Sequence, residues 1–534
     1  MSEFFFRTEE IEFNELAQLF SETEKDREII DLLKGRNTVL LVGSRGAGKS
    51  FLLRYAEYEL VENFSEFKIF PVYISFMKSA LLRTNDRLQF HNWMLCSIVV
   101  NTHKALMKRG VLAKYSSHSA YLTKMCGESN RLDRISELVQ RYESSYLNPS
   151  ITISEDLIPK IEEVKELFDE LCEECKIKRF VLMFDECAHA LIPEQQRQFY
   201  TLFRDLKASN ISCKAAVYPG ITSYGETFQP AHDAVSISIN RDVTSDNYID
   251  SMKAIVTKQS DSALLANITK NGQNFATLAY ASNGNPRILL KTIAKSGKLS
   301  SKEVNATISS FYRETAWQEY TQLGDSYPGL KTFIDWGRNF IENWVISDLL
   351  KKNDAYLADD KKTTCFFWIH KDAPQQVKES LRLLEYSGIV AEHSKAVKAT
   401  RSEVGNRYLV SLGHIMAFLP YPSKTGFDIA KNLTVKRMAE FGLSHLAYKS
   451  ISESPIIQAD LSIEALRIQL QKPVDQLELS NFQIHKIQEL GIVSIEDLLR
   501  SDVSDLKKAK FIGDKRAARI QNSAIAALFE YLAG

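Results

Sequence analysis

The sequence predicts an α/β fold, a parallel sheet covered by helices on both faces and followed by smaller units toward the carboxyl terminus. Three observations carry this. The short apolar run Asn37-Thr-Val-Leu-Leu-Val42 leads through a glycine-rich octapeptide into Phe51–Leu60, whose apolar residues recur at helical spacing. A second apolar run, Arg179-Phe-Val-Leu-Met-Phe184, ends in two carboxylates, Asp185 and Glu186. Strand-like and helix-like segments alternate as far as residue 240, the order parallel pairing needs because each crossover passes over a face of the sheet.

The octapeptide Gly43-Ser44-Arg45-Gly46-Ala47-Gly48-Lys49-Ser50 fits G-x-x-x-x-G-K-[ST], and its strand–loop–helix setting is the one a phosphate-binding loop requires. Its glycines let successive backbone N–H groups turn inward around phosphates, and the following helix adds a favourable dipole. The contact set for ATP therefore runs from Gly43 to Phe51. Lys49 reaches toward the β- and γ-phosphates, and the Ser50 hydroxyl is placed to hold Mg2+. Asp185, at the strand's end, is placed to hold the metal through water, and Glu186 to polarise an attacking water.

The remaining elements follow in order. Residues 1–36 are expected to be helical, with apolar positions from Leu16 to Leu33. A strand is expected at Phe67–Phe76. Residues 80–165 read as a helical insertion containing Arg134–Tyr142 and Ile158–Phe168. Pro193 opens a helix to Arg204, and strands are expected at Ser212–Tyr218 and Ala234–Asn240. Residues 241–325 are helical in pattern. They are interrupted by Ala281-Ser-Asn-Gly-Asn-Pro-Arg287, a turn that leaves Arg287 in the first turn of a new helix.

Composition excludes several classes. Lys+Arg and Asp+Glu both number 67, so any grip on a polyanion must come from local patches. No uncharged stretch is long enough to span a bilayer, and Met1-Ser-Glu-Phe-Phe-Phe-Arg7 puts an acid where a secretory leader needs a base. A cytoplasmic location is the expectation. Seven scattered cysteines do not make a disulfide framework, and Cys172 and Cys175 read as two buried or half-buried thiols and not as a zinc site.

With these residues in view, the chain resembles the AAA+ ATPases of the replication-initiator and origin-recognition branch over about residues 10–320. Gly43–Ser50 is similar to that family's Walker A loop, Asp185 and Glu186 to its Walker B acids, and Gly284-Asn-Pro-Arg287 to its second sensor. The resemblance implies a nucleotide-binding core over 1–240, a helical lid over 241–325, and Arg287 approaching the γ-phosphate. It also implies a first sensor, for which Thr222 and Ser223 are candidates, and an arginine finger, for which Arg204 and Arg241 are candidates.

The carboxyl-terminal third resembles two DNA-binding modules. In the unit 326–420, helix Gln375–Gly388, a strand from Ile389, a basic loop from Lys395 to Gly405 and a return strand Asn406–Leu412 look like a winged helix. Its Lys398 and Arg401 would sit on phosphates. Leu419-Pro-Tyr-Pro-Ser-Lys-Thr-Gly426 reads as a linker, opening a stretch of linker and helices over 421–474. Residues 475–534 look like tandem helix-hairpin-helix elements, with Phe511 where the family's first hairpin glycine belongs. Within 506–520 six basic side chains face one acid, and Lys510, Gly513, Lys515, Arg516 and Arg519 are the expected phosphate contacts. The implied function is an ATPase whose nucleotide state controls DNA engagement or assembly in replication, transposition or defence against mobile DNA, with a protein partner or self-assembly possible. The competing reading is a signalling switch whose carboxyl-terminal modules bind a protein effector.

Overall fold

The computed structural model describes residues 4–532, apart from 83–87, 113–124, 127–128, 149–150, 152, 154, 188–191, 401, 452–466 and 478. Its centre is a five-stranded sheet of β1 (Val39–Val42), β2 (Ile69–Ser75), β5 (Arg179–Asp185), β6 (Ile211–Val217) and β7 (Val235–Ser238). The order is β2-β5-β6-β1-β7 and every pair is parallel. Because side chains alternate along a strand, β1, β2, β5 and β6 feed two cores, while the edge strand β7 is largely exposed. Leu40, Phe180, Leu182 and Phe184 face one, while Val39, Leu41, Val181 and Met183 face the other.

Helices α1 (Glu24–Lys34) and α2 (Lys49–Glu62) cover the second face. The first face is covered by α3 (Gln89–Lys108), α4 (Arg131–Ser144), α5 (Ile161–Glu174) and α6 (Pro193–Asp205). The insertion is thus a structural layer built largely on the 20-residue α3, together with the small hairpin β3 (Met125–Cys126) and β4 (Ser129–Asn130). The expectation of a helical 1–36 needs correcting. Only Glu24–Lys34 forms a helix of more than about one turn, capped by Thr23, and the chain before it passes along the edge of a cleft in short turns. Cys172 and Cys175 end α5 as free, half-buried thiols, with Asn210 3.7 Å from the Cys172 sulfur.

Beyond β7 the chain forms helices α7 (Tyr248–Thr257), α8 (Ser262–Lys270), α9 (Gly272–Ala281), α10 (Pro286–Ser296) and α11 (Ser301–Ser310). Next come α12 (Ala316–Ser326), α13 (Lys331–Asn339) and α14 (Ser347–Ala358). A second sheet follows, of order β11-β8-β10-β9, from β8 (Phe366–His370), β9 (Val390–Lys398), β10 (Val404–Val410) and β11 (Ala439–Phe441). Helix α15 (Gln375–Tyr386) lies between β8 and β9 in sequence. One continuous core, from Ile221 to Ile451, joins all of these elements. The boundaries expected near 325 and 420 therefore separate no cores.

The 419–426 stretch is packed, which corrects the linker reading. Pro422, Ser423 and Gly426 are buried, Gln273 Nε2 donates to the Ser423 carbonyl at 2.8 Å, and Ser423 N–H donates to Asn305 Oδ1 at 2.8 Å. Prolines that suit a linker equally suit a tight turn whose main chain is satisfied by side chains of neighbouring helices. The tail has its own core, from Val474 to Ala524, formed by α16 (Asn481–Gln488), α17 (Ile495–Arg500) and α18 (Asp514–Leu532).

His414 is buried in the large core against the rings of Tyr312 and Trp317, and neither ring nitrogen has a hydrogen-bond partner. Burial pushes its pKa down to about 3 from an ordinary 6.5. The unfolded chain thus binds the proton more readily, and the contribution of His414 to stability is lost as pH falls below about 6.5. Between pH 6.5 and 5 this residue should cost ~2 kcal/mol. His414→Phe, compared with wild type by denaturant unfolding at pH 7 and pH 5, is expected to remove about that much of the acid sensitivity.

Candidate functional site

The parallel register brings three strand ends to one edge. Val42 pairs with Val217, and Ser75 with Asp185, so Gly43, Glu186 and Tyr218 emerge beside one another. Ligands of open parallel sheets bind outside this carboxyl edge. Here the edge opens into a cavity of about 420 Å³, lined by Arg45–Leu52, Glu186, Tyr218, Arg241, Pro286 and Arg287, and by Phe5, Phe6 and Arg7 from the amino-terminal segment.

The loop has the conformation its glycines permit. Gly46 (φ +79°) and Gly48 (φ +105°) are left-handed, and Gly48 starts α2 with open space where a side chain would stand. Lys49 is buried, and its Nζ donates to the carbonyls of Gly43 (2.6 Å) and Ser44 (3.1 Å). The same ammonium lies 3.9 Å from the centre of the Tyr218 ring. Burial lowers its pKa to about 8, against the pull of Glu186 and Asp185.

The two acids are held differently. Asp185 accepts from the Tyr73 hydroxyl at 2.6 Å and from the Glu186 N–H at 3.0 Å, which fixes its carboxylate. Glu186 turns the chain out of β5 with φ +46°, a left-handed backbone that costs a non-glycine residue about 1–3 kcal/mol and is a mark of functional sites. Its carboxylate accepts from the Tyr218 hydroxyl at 3.2 Å. Burial, then the Asp185 charge, pushes its pKa up to about 7.

Arg287 reaches the cleft from the lid. Asn285 caps α10 by accepting from the Ile288 N–H, while its Nδ2 donates to the Arg45 carbonyl at 2.7 Å, so one side chain ties lid to loop. The Tyr248 hydroxyl accepts from the Gly284 N–H at 2.7 Å and sets the preceding turn. Arg287 Nε donates to the Phe6 carbonyl at 2.9 Å. Burial and the neighbouring Arg45 lower its pKa, a cationic crowding that an anion would relieve.

The residues fit a magnesium–triphosphate. A buried lysine, Arg45 and Arg287 line a glycine cradle together with Ser50, whose hydroxyl would hold a hard cation, while Asp185, buried at the end of β5 behind the lining, would reach that cation through water. Phe5, Phe6, Leu19, Phe20, Ile255 and Leu290 give the cleft an apolar lining that would suit a planar base, and Gln259 Oε1 accepts the Phe5 N–H at 3.0 Å. Sequence reasoning missed this lining, although three consecutive phenylalanines so near the start were a signal.

Other candidates fall elsewhere. Thr222 donates to the Tyr218 carbonyl at 2.5 Å and Ser223 N–H to Gln196 at 2.6 Å; it is Tyr218 that meets Glu186. Arg241 points into the chain's own cleft, 3.6 Å from Asp26, so it is not presented to a neighbour. Arg204 lies outside the cleft, bonded to Asp205 and the Thr227 carbonyl. Lys398 is exposed at the end of β9, and the hairpin is tighter than expected because Lys395–Lys398 belongs to the strand. Arg401 lies outside the described residues. Lys510, Gly513, Arg516 and Arg519 are exposed around the start of α18; the Lys515 side chain lies outside the description.

One contact was not legible in sequence. The end of α15 packs against the cleft: the Tyr386 ring meets the Tyr218 ring edge-on at 5.2 Å, and Arg382 Nε donates to the Gly220 carbonyl at 2.7 Å. A side chain on Gly388 would touch Ser44 of the loop at 3.4 Å. Glu385 is buried beside Gly220, its carboxylate accepts the Glu392 N–H at 2.9 Å, and burial followed by the Glu392 charge raises its pKa to about 8.

The sheet order, the glycine-rich loop, the acid pair and the helices after β7 make an α/β core of the kind the AAA+ resemblance implies. A family model described as ORC-CDC6-like matches residues 4–95, which include the aromatic amino terminus, the loop and β2. The origin-recognition resemblance thus holds over the part of the chain that builds most of the cleft. No curated protein matches. Among solved structures, an Aeropyrum pernix ORC1 protein in complex with DNA aligns at 11% identity over 76% of this chain and 92% of its own, with a TM-score of 0.33. An Aeropyrum pernix ORC2 protein in ADPNP–ADP complexes aligns at 11% identity over 77% and 95%, with a TM-score of 0.35. Among the described residues, no helix is long and apolar enough to cross a membrane.

The tie between lid and loop is testable. A methyl group on Gly46 would stand 2.9 Å from Asn285 Oδ1 and 3.0 Å from Arg287 Cβ, on a backbone that disfavours it. Gly46→Ala is expected to lower stability by about 1–3 kcal/mol, read from denaturant unfolding.

Proposed function

We propose that this protein binds and hydrolyses ATP with Mg2+ and that the nucleotide state governs how its carboxyl-terminal elements engage DNA. The observation that carries this reading is the docking of α15 on the cleft, where Tyr386 and Gly388 stand against Tyr218 and Ser44. A change at the loop is then a change in the seat of the carboxyl-terminal unit. Lys49, Arg45 and Arg287 bind the phosphates, and Ser50 and Asp185 hold the metal, which neutralises developing charge when bound. Glu186, oriented by the Tyr218 hydroxyl, takes the proton of the attacking water. Tyr218 thereby does what a first sensor would do, and passes its position to Tyr386. The DNA contacts come from the exposed Lys398 and the basic start of α18.

A second reading has one observation in its favour. Arg382, Glu385 and Tyr386 of α15 face protein, which leaves that helix a poor reader of a groove and suits a switch that releases a protein-binding module.

Lys49→Ala should abolish ATP binding in a fluorescent-nucleotide titration, and Glu186→Gln should bind ATP but lose turnover by about 100-fold or more. Turnover at the wild-type rate in Glu186→Gln would sink the catalytic assignment. Tyr386→Ala should make DNA affinity the same with ADP and with ATP, measured by anisotropy at several salt concentrations. A steep loss of affinity with salt identifies phosphate contacts, whereas no retained DNA in any nucleotide state favours the protein switch.

A further inference from the structure

The tail contains two similar turns with one unequal residue. In Leu490-Gly491-Ile492 and Lys510-Phe511-Ile512 the isoleucine is buried, and the residue before it is left-handed, with φ +80° at Gly491 and +74° at Phe511. Glycine meets this requirement without steric cost, and a phenylalanine does not. Packing within the tail offers no compensation, because the Phe511 ring is 67% exposed and the core is closed by Ile512.

The surroundings of the ring indicate what would use it. Lys510 Nζ lies 5.5 Å from the ring centre, and Arg516 Nη1 donates to the Phe511 carbonyl at 2.8 Å, fixing the turn. The Arg516 guanidinium also lies 5.8 Å over the ring of Phe482, itself 45% exposed. Lys507 and Lys508 are paired with Asp514 and Asp505, while Lys510, Arg516 and Arg519 are exposed, Lys510 against the ring, Arg516 on its carbonyl and Arg519 one turn further along α18. An apolar plane rimmed by cations complements a strand that carries both phosphates and uncovered base faces. A closed duplex keeps its base faces stacked inside and offers phosphates and groove edges instead.

We propose that Phe511 stacks on an unpaired base of single-stranded DNA while Lys510, Arg516 and Arg519 hold flanking phosphates, so that the tail prefers single strands to duplex. This rests on the DNA reading above. The test measures anisotropy of the full chain on a labelled oligothymidylate strand and on a duplex of equal length, at one salt concentration. The wild type is expected to bind the strand about tenfold more tightly than the duplex. Phe511→Gly, which suits the left-handed turn and should fold at least as well, is expected to lose that preference with duplex affinity unchanged; Phe511→Trp should keep it. If Phe511→Gly retains the strand preference, or the wild type has none while binding duplex, the proposal fails and the DNA reading survives. If the wild type binds neither, both fail.

Discussion

Lys49 is held in a space closed by the Gly43 and Ser44 carbonyls on one side and the Tyr218 ring on the other, with Asp185 and Glu186 close by. A buried ammonium is costly unless its charge is met, and only dipoles, a ring face and two acids meet it here. The rest of the cleft is arranged around that cation. The loop must stay left-handed at Gly46 and Gly48, Glu186 must leave its strand with a strained backbone, and Tyr218 must sit between lysine and acid. Each of these is possible because the parallel register sets three strand ends side by side.

The same tyrosine connects the cleft to the carboxyl-terminal unit. Its hydroxyl bonds Glu186 and its ring meets Tyr386, while two residues further on the Gly220 carbonyl accepts Arg382. Helices α7–α11 and the second sheet share one core, from Ile221 to Ile451, so the helix that holds Asn285 and Arg287 is joined to that sheet by closely packed side chains. The tail has a core of its own, and its α18 meets the rest of the molecule at the Met77–Leu81 turn. This gives the protein two kinds of carboxyl-terminal element, one seated against the cleft and one carrying exposed cations.

Much of the core was legible along the chain. The loop, the acid pair, each of the five parallel strands and the Asn285-capped helix carrying Arg287 are local features, set by glycine conformations, apolar runs and a proline at a helix start. Reading failed where a residue's meaning came from a distant partner. Thr222 and Ser223 have the polarity of a first sensor, but the chain turns at Gly220 so that Tyr218 takes the place beside Glu186. The Pro-Tyr-Pro stretch has linker composition, yet Gln273 and Asn305 satisfy its main chain from the lid.

The sequence by itself determined the glycine-rich loop, the two acids at the end of β5 and the helix start that carries Arg287, because each is written in contiguous residues whose backbone preferences are local. Tertiary structure alone decided that Phe5 and Phe6 close the cleft, that Arg241 turns inward, and that Tyr386 rests on Tyr218. Those positions depend on contacts between residues far apart in the chain. Burial and register set them, and neither has a signature in any short stretch of sequence.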